Sequence, residues 1–349
     1  MSRRAAILAV DGGGSKTDAV LLRKDGTILG AARTPAKEFD QNGGDAHMSQ
    51  VMDAVVAACL DARFDPERSP VADLGVYCLA GADLPSDDRR ILRWLRRRGL
   101  THDNLVRNDT FAVLRAGTEE TWGVGIVCGF GTNCSGVAPS GRTYRLPAIG
   151  EVSGDWGGAS ELGRAALWHA LRASDGRGPR TAFTRLVPAR FDLRRPREVM
   201  EALYFGTLDP DRLAELAPIV FHAARDGDAV AQSLVDRQAD EIAIMATAAI
   251  RRLGMRAMEV PVVLGGGIFR TDDRAFFERI HAGIHAVAPH AVVTVLTDPP
   301  VIGAVHLGLD RSKATRAAHR RAGAALTHAR LSAHTHRRRK EPSHGADRP

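Results

Sequence analysis

Cysteine is scarce in this sequence, with four residues among 349: Cys59, Cys78, Cys128 and Cys134. They form no CxxC pair, and no Cys/His cluster has the spacing of metal ligands. We therefore expect buried thiols in a reducing compartment and no metal site built on cysteine.

Long apolar runs are also missing. No stretch approaches the roughly 20 residues that a helix needs to span a bilayer. The short apolar segment at the start is followed by Asp11 and a run of glycines, too early for the apolar region of a secretory signal. We expect a cytoplasmic protein without a membrane segment.

The excess of positive charge is confined to one end of the chain. The formal net charge is +7, but eleven Lys and Arg against two acids lie from Arg311 onward, leaving 37 basic and 39 acidic residues before it. We expect a basic, disordered tail over 313–349. Such a tail could hold phosphates only through charge, so we expect no specific nucleic-acid partner.

The pattern that is present is a repeated strand, glycine turn and strand. Residues 5–33 read AAILAV, DGGGSK, TDAVLLR, KDG and TILGAAR, which is typical of three strands joined by turns. From residue 123 the order returns as GVGIVC, GFGTN, CSGVAP and SGR, which indicates an internal duplication. Because these glycine turns lead into strands, they argue against a dinucleotide-binding Rossmann fold.

Strands and helices alternate along the rest of the chain. Apolar spacing predicts helices over 45–63, 87–98, 228–253 and 272–287 and from residue 300, with strands at 74–79, 260–264 and 292–296. The sequence therefore predicts an α/β protein of two lobes, 1–118 and 119–312, with helical additions in the second.

Three glycine clusters could bind an anion. Asp11 precedes Gly12–Thr17, and this segment is either a plain hairpin or a nest of backbone N–H groups for phosphates with magnesium. The loop at 129–133 is a second glycine-rich turn between two strands, in the second lobe. Gly265–Gly267 ends an apolar strand, either as a tight turn or as a place for adenosine.

Two aspartates follow predicted strands. Asp109, after Asn108, is either a helix N-cap or a general base that takes the proton of an attacking hydroxyl. Asp155 is either a turn residue or an acceptor for substrate hydroxyls, and the neighbouring Trp156 is either core filling or part of the pocket.

The segments DGGGSKT, NDT, GFGTN, GDWGG, LGGG and DPPVIGA, in this order over residues 5–310, resemble the BadF/BadG/BcrA/BcrD ATPase-type family. Within it they are similar to the N-acetylglucosamine kinases of the actin-like sugar kinase superfamily. The resemblance implies duplicated ribonuclease-H-like lobes with a cleft between them, and a homodimer that uses ATP and Mg²⁺. It also implies phosphorylation of the 6-hydroxyl of an amino sugar, N-acetylglucosamine first.

The resemblance also implies roles for individual residues. Asp11 would hold magnesium through water, and Asp109 would be the base. The expected phosphate contacts are Gly13, Gly14, Ser15, Lys16 and Thr17 in the first loop and Gly131, Thr132 and Asn133 in the second. Adenosine would lie at Gly265, Gly266 and Gly267, and the sugar at Asn108, Asp109, Gly154 and Asp155.

The sequence departs from the family pattern at three places. Phe130 stands in the second loop where relatives have a hydroxyl residue, and Trp156 stands where an acid is common. The sugar-reading residue before a glycine is uncertain among Glu38, Phe39 and Asn42. Glucosamine, N-acetylmuramic acid and plain hexoses therefore stay open as acceptors.

Two other classes of function were weighed. An ATPase activator of a radical dehydratase would need thiolates for an iron–sulfur cluster, and Cys128 and Cys134 flank the second phosphate loop, a poor place for one. A sugar-responsive DNA-binding regulator would need a helix-turn-helix before the first strand, for which the residues ahead of Ile7 leave no room.

Overall fold

The computed structural model describes residues 4–35, 45–67 and 69–332. They divide into two compact units. The first unit is built from the chain up to Glu120 and again from Leu296 onward, and the second unit is Thr121–Val295. Within the described ranges, no helix is long and apolar enough to cross a bilayer.

The strands of the described residues are β1 Ala5–Gly12, β2 Lys16–Leu22, β3 Ile28–Pro35, β4 Ala72–Leu79, β5 Thr101–Arg107, β6 Gly123–Cys128, β7 Thr132–Val137, β8 Thr143–Arg145, β9 Pro261–Gly265 and β10 Val292–Val295. The α-helices are α1 Asp45–Asp61, α2 Pro85–Arg98, α3 Asp109–Gly117, α4 Gly158–Ser174, α5 Phe183–Ala189, α6 Pro196–Tyr204, α7 Ala217–Arg225, α8 Ala229–Leu253, α9 Arg274–His285, α10 Val301–Arg311 and α11 Arg316–Ala325.

Each unit contains a five-stranded sheet, and the two sheets have the same topology. In the first unit the strand order is β3-β2-β1-β4-β5, with an antiparallel meander of β1, β2 and β3 and parallel pairing of β1, β4 and β5. In the second unit β8-β7-β6-β9-β10 repeats this order and these directions. The expected duplicated ribonuclease-H-like α/β fold is confirmed.

The sheet of the first unit is covered on both faces. Leu8 and Val10 of β1 lie in a core with α1 and α2, whereas Ile7 and Ala9 lie in a second core with α10. Alternate side chains of a strand point to opposite faces, so a strand covered on both sides must be apolar throughout. This explains the unbroken run AAILAV.

The chain after Leu296 differs from the expected organisation, which placed 296–312 in the second lobe. Val301, Val305 and Leu309 of α10 lie in the same core as Ile7, which is in the first unit. Gly303 approaches α3 so closely that a Cβ there would be 2.6 Å from the carbonyl carbon of Ala112. The C-terminal segment therefore completes the core of the first unit.

The predicted tail over 313–349 also differs from the structure, because it contains α11. Ala318, Ala322 and Leu326 are buried at four-residue spacing, which is one face of a helix and its continuation. The many arginines and histidines between them hide this short apolar stripe in the sequence. Residues 333–349 of the predicted tail lie outside the described residues.

The second unit is organised around α8. The helix begins after Asp228, whose carboxylate accepts hydrogen bonds from the backbone N–H groups of Val230 and Ala231, and ends at Gly254 in the left-handed conformation. Its predicted apolar stripe is buried, from Ala231 to Ile250. Helices α4 to α7 are inserted between β8 and β9.

Candidate active site

Three aspartates of the first unit follow parallel strands that end at one edge of the sheet. Asp11 lies in β1 near its end, Asp83 follows β4, and Asp109 is the first residue of α3, after β5. The carboxyl ends of parallel strands are where ligands bind in open α/β sheets.

These carboxyls influence one another. Burial, followed by the charges of Asp11 and Asp83, raises the pKa of Asp109 to about 8. Burial, followed by the charge of Asp18, raises the pKa of Asp11 to about 7. Desolvation and like charge disfavour the ionised forms of Asp11 and Asp109, and a bound cation would offset both effects and lower the two pKa values.

A row of side chains crosses the sheet through Asp11. In the strand register Arg107, Cys78, Asp11, Asp18 and Arg33 are successive partners from β5 to β3. Partners in register lie on the same face of a sheet. The chemistry at Asp11 is therefore coupled to its neighbours on β2 and β4.

Two cations, Arg33 of this row and Lys16, bind Asp18. Arg33 donates from Nε and a terminal nitrogen to the two oxygens of Asp18 at 2.6 and 2.7 Å, and Lys16 Nζ donates at 3.0 Å. Asp18 is fully buried, so these bonds offset its desolvation. Lys16 is part of this ion-pair network, and its expected contact with phosphate stays a prediction.

The first glycine loop is a hairpin that leaves only its tip for a ligand. The N–H of Gly13 donates to the carbonyl of Lys16 at 3.0 Å and closes the turn. Thr17 is fully buried, and its expected contact with phosphate stays a prediction. Gly14 is half-buried and Ser15 is exposed, so these two residues remain as the phosphate-facing candidates.

The N-cap of α3 is Asn108, so Asp109 is not the cap. Asn108 Oδ1 accepts hydrogen bonds from the backbone N–H of Thr110 at 3.0 Å and from its hydroxyl at 2.6 Å. Asn108 is fully buried, and its expected contact with the sugar stays a prediction. Asp109 is half-buried in the first turn, so its carboxylate remains a candidate base.

Asp83 is the residue of this site that the sequence interpretation missed. Its Oδ1 accepts a hydrogen bond from Asn108 Nδ2 at 2.8 Å. The signal in the sequence was an Asp close to the end of an apolar strand, LAGAD, a position that Asp11 and Asp109 share.

The second glycine loop is attached to the start of α4. The backbone N–H groups of Ala159 and Ser160 donate to the carbonyls of Gly129 and Phe130 at 2.8 and 2.9 Å. These are donors of the first helical turn, which have no partner inside the helix. The helix N-terminus therefore fixes the loop.

Gly158 makes this attachment possible. It has φ +83°, and a Cβ on it would lie 2.6 Å from the Cα of Gly131. Only glycine satisfies both the conformation and the close approach. The motif GDWGG is thus explained in part by backbone packing against the second loop.

The third glycine cluster lies beside the second loop. Gly265 pairs with Val127 in the sheet, and Gly266, with φ +116°, lies so close to Cys128 that a Cβ would be 2.6 Å from its carbonyl carbon. At Gly131 and Gly267, by contrast, no heavy atom of the described part of the chain lies within 4 Å of an added Cβ. These positions form a backbone surface that a ligand could approach.

Thr132 and Asn133, expected to bind phosphate, have internal contacts. Thr132 Oγ1 donates to the carbonyl of Val127 at 3.3 Å, and Asn133 Oδ1 accepts from the N–H of Cys134 at 2.7 Å. The Thr132 bond joins β7 to β6, whereas the Asn133 bond lies within β7. Contact with a phosphate through their side chains stays a prediction.

The other predicted sugar contacts lie before α4. Gly154 is exposed with φ +80°, and half-buried Asp155 accepts a hydrogen bond from the hydroxyl of Ser153. The ring of Trp156 lies 4.0 Å from the guanidinium carbon of Arg237, a cation–π contact. Glu38, Phe39 and Asn42, the other candidates, lie outside the described residues.

The expectation of buried thiols is confirmed, because all four cysteines are buried and free. Burial raises the pKa of Cys128 to about 12, so its thiolate form is disfavoured. In the described ranges, no group of three or more His, Cys, Asp or Glu residues could hold a metal ion by itself. A cation at Asp11 would therefore need other ligands, such as phosphate or water.

Two ribonuclease-H-like units, with carboxylates at the strand ends of one and glycine loops in the other, define an ATPase-type protein of the actin-like fold. Residues 8–307 match the model of the BadF/BadG/BcrA/BcrD ATPase family, and the chain belongs to that family.

Named relatives share most of their length with this chain. An N-acetyl-D-glucosamine kinase of Dictyostelium discoideum is 26% identical over 315 residues, covering 88% of this chain and 98% of that protein. An N-acetylmuramic acid/N-acetylglucosamine kinase of Clostridium acetobutylicum is 24% identical over 262 residues, covering 75% and 85%. The crystal structure of a candidate N-acetylglucosamine kinase from Chromobacterium violaceum has a TM-score of 0.68 and 23% identity, covering 88% and 100%.

Proposed function

We propose that this chain is an ATP-dependent kinase that phosphorylates the 6-hydroxyl of an amino sugar, with N-acetylglucosamine as the first candidate. The observation that carries the proposal is Asp109, half-buried at the start of α3 among the carboxyls of Asp11 and Asp83. The two curated relatives, both named for N-acetylglucosamine, support this acceptor.

Asp109 has the properties of a general base. A sugar hydroxyl must lose its proton as it attacks the γ-phosphoryl group, and a positioned carboxylate accepts that proton. The raised pKa of Asp109, about 8, makes its ionised form a stronger base than an ordinary carboxylate. The N-terminus of α3 favours the negative charge that the base needs before it acts.

The glycine loops have the features of a binding site for the phosphates of ATP. Backbone N–H groups at glycine turns bind phosphate oxygens, and a position without a Cβ lets the ligand approach the chain. Gly14 and Ser15 supply the tip of the first loop, and Gly131 and Gly267 the open positions of the second unit. In this proposal Gly265 and Gly266 shape the adenosine side of that surface.

Mg²⁺ suits Asp11. Magnesium prefers oxygen ligands, keeps several waters and is usually held by one or two carboxylates together with substrate phosphates. A single nearly buried carboxylate beside a phosphate loop fits that donor set. When bound, Mg²⁺ would neutralise charge on the phosphates.

The sugar side of the proposal rests on Gly154 and Asp155. The half-buried carboxylate of Asp155 can accept hydrogen bonds from sugar hydroxyls, and its contact with Ser153 holds it in place. The relative that also acts on N-acetylmuramic acid makes this sugar the second acceptor to test. Two further expectations, a homodimer and a cytoplasmic location, belong to the same proposal.

The test is ATP consumption by the purified protein with magnesium, against N-acetylglucosamine, N-acetylmuramic acid, glucosamine, glucose and no sugar. We expect strong stimulation by N-acetylglucosamine, and loss of that stimulation in Asp109→Asn. Hydrolysis of ATP that no sugar stimulates would reject the kinase and favour the ATPase-activator alternative.

A further inference from the structure

The side-chain amide of Asn108 is held from both ends. Its oxygen accepts two hydrogen bonds from Thr110, at 3.0 Å from the backbone N–H and 2.6 Å from the hydroxyl. Its nitrogen donates to Asp83 Oδ1 at 2.8 Å. Asn108 and Thr110 are both fully buried, so leaving either side chain without its partner would cost stability.

The chemistry of the partners dictates this orientation. A backbone N–H can only donate, so the Thr110 side must meet the amide oxygen of Asn108. The amide nitrogen then points away from Thr110 and requires an acceptor, and an ionised carboxylate can only accept. Asp83 is therefore the group that fixes which way the amide of Asn108 points.

The amide of Asn108 in turn defines where α3 begins. The N-cap side chain satisfies the N–H of Thr110, and Asp109 lies between the two. A shift of the cap would move the carboxylate of Asp109 with the first turn of the helix. Misplacement of a catalytic group by about 1 Å can cost on the order of 10²-fold in rate.

We infer that Asp83 is a positioning residue: through Asn108 it holds the first turn of α3 and places the carboxylate of Asp109. The inference rests on the proposed function for its catalytic consequence, whereas the structural link between Asp83 and the α3 N-terminus does not. Asp83 lies on the loop after β4, so the base on one strand end is set by a residue on the neighbouring strand end.

Two substitutions distinguish the effect of the Asn108–Asp83 hydrogen bond from the effect of the negative charge of Asp83. Asp83→Ala removes both, whereas Asp83→Asn keeps an oxygen that can accept from Asn108 Nδ2 and removes only the charge. The control is Asp273→Ala, which removes a carboxylate that caps a helix of the second unit directly, with its oxygen 3.1 Å from the N–H of Phe276. Both alanine variants should lose a similar amount of stability.

The kinetic readout is kcat and KM for ATP and N-acetylglucosamine. We expect Asp83→Ala to lower kcat at least about tenfold, with the KM for ATP within about twofold of the wild type. Asp83→Asn should recover most of the lost kcat, and Asp273→Ala should retain the wild-type value. An unchanged kcat in Asp83→Ala, or equal losses in both Asp83 variants, overturns the inference.

A second readout does not depend on the reaction. Hydrogen–deuterium exchange of the backbone N–H groups of Thr110 and Phe111 reports whether the first turn of α3 is held. We expect faster exchange there in Asp83→Ala than in Asp83→Asn or Asp273→Ala. Unchanged exchange in Asp83→Ala overturns the inference, whereas a wild type without sugar-stimulated activity overturns only the proposed function.

Discussion

Asp11 and Asp18 face each other directly across β1 and β2, and both carboxylates are buried on the same side of the sheet. Like charges at such positions destabilise a sheet. Arg33 and Lys16 neutralise Asp18, whereas Asp11 keeps a raised pKa of about 7. The pair thus consists of one structural carboxylate and one that is left for a ligand.

Arg33→Met should strongly destabilise the protein, because it leaves the fully buried Asp18 without its bidentate partner. Removing one member of a buried pair costs about 3–5 kcal/mol. Urea unfolding would measure the loss. The control is Arg321→Met, which removes the exposed partner of Asp25 and should cost less than about 1 kcal/mol. Equal losses in the two variants would contradict the role of Arg33.

Asp109→Asn should reduce sugar-dependent turnover by roughly 10²–10⁴-fold, the range for loss of a general base. Binding of ATP, measured by calorimetry, should be nearly intact because the glycine loops are unchanged. The control is Asp103→Asn, which removes an exposed carboxylate of β5 paired with Arg311. Full turnover in Asp109→Asn would remove this residue from the mechanism.

The ligand-free protein should become less stable as its base ionises. The pKa of Asp109 is raised in the folded state to about 8, so the folded protein holds this proton more tightly than the unfolded chain. Its contribution to stability is fully present below about pH 4 and is lost as pH rises through 8. Because the side chain is half-exposed, we expect a total on the order of 2 kcal/mol.

Asp109→Asn removes that proton equilibrium. The difference in unfolding free energy between the variant and the wild type should therefore grow in favour of the variant from pH 5 to pH 8. Denaturant unfolding at several pH values, without ATP or magnesium, measures it. A difference that stays constant with pH would show that Asp109 has an ordinary pKa.

Asp11→Asn should weaken the magnesium dependence of ATP use. The amide keeps the shape of the side chain but loses the charge that would hold the ion, so half-maximal activity should need more magnesium. Titration of magnesium at saturating ATP and sugar tests this, with Asp103→Asn again as the control. An unaltered magnesium titration would refute the assignment of Asp11.

Two alanine substitutions distinguish packing from binding in the second loop. Gly131→Ala adds a Cβ that meets no heavy atom within 4 Å in the described ranges, so the protein should fold normally but show a higher KM for ATP. Gly158→Ala places an alanine in a left-handed backbone conformation and makes its Cβ collide with Gly131. This variant should therefore destabilise the protein by more than about 1 kcal/mol. Thermal unfolding and ATP kinetics of both variants measure the contrast.

Much of the fold followed from periodicity in the sequence. The two meanders and α8 were predicted because strict apolar runs and a long 3.6-residue stripe are strong signals. The placement of α10 and α11 in the first unit was not, since a helix pattern does not state which sheet will receive it. The burial of Ala318 and Ala322 was not predicted either, because alanine is common on both buried and exposed helix faces.

The sequence predicted the motifs of the candidate site, but it predicted the contacts of their individual side chains less well. Asp11 and Asp109 were identified because each follows a predicted strand within a motif that resembles the family pattern. Thr17 and Asn108 belong to the same motifs and are fully buried, so a motif alone does not state which of its side chains face a ligand. Asp83 was missed because its importance comes from a hydrogen bond to a residue 25 positions away.

The return of α10 to the first unit has a consequence for synthesis on the ribosome. The second unit is continuous, Thr121–Val295, and can complete its core as soon as it emerges, whereas the first unit must wait for its last helices. At typical elongation rates the intervening 175 residues take roughly 10–35 s to make. During that time the face of β1 and β4 that packs on α10 lacks this helix, and transiently exposed apolar surface of this kind is prone to aggregation.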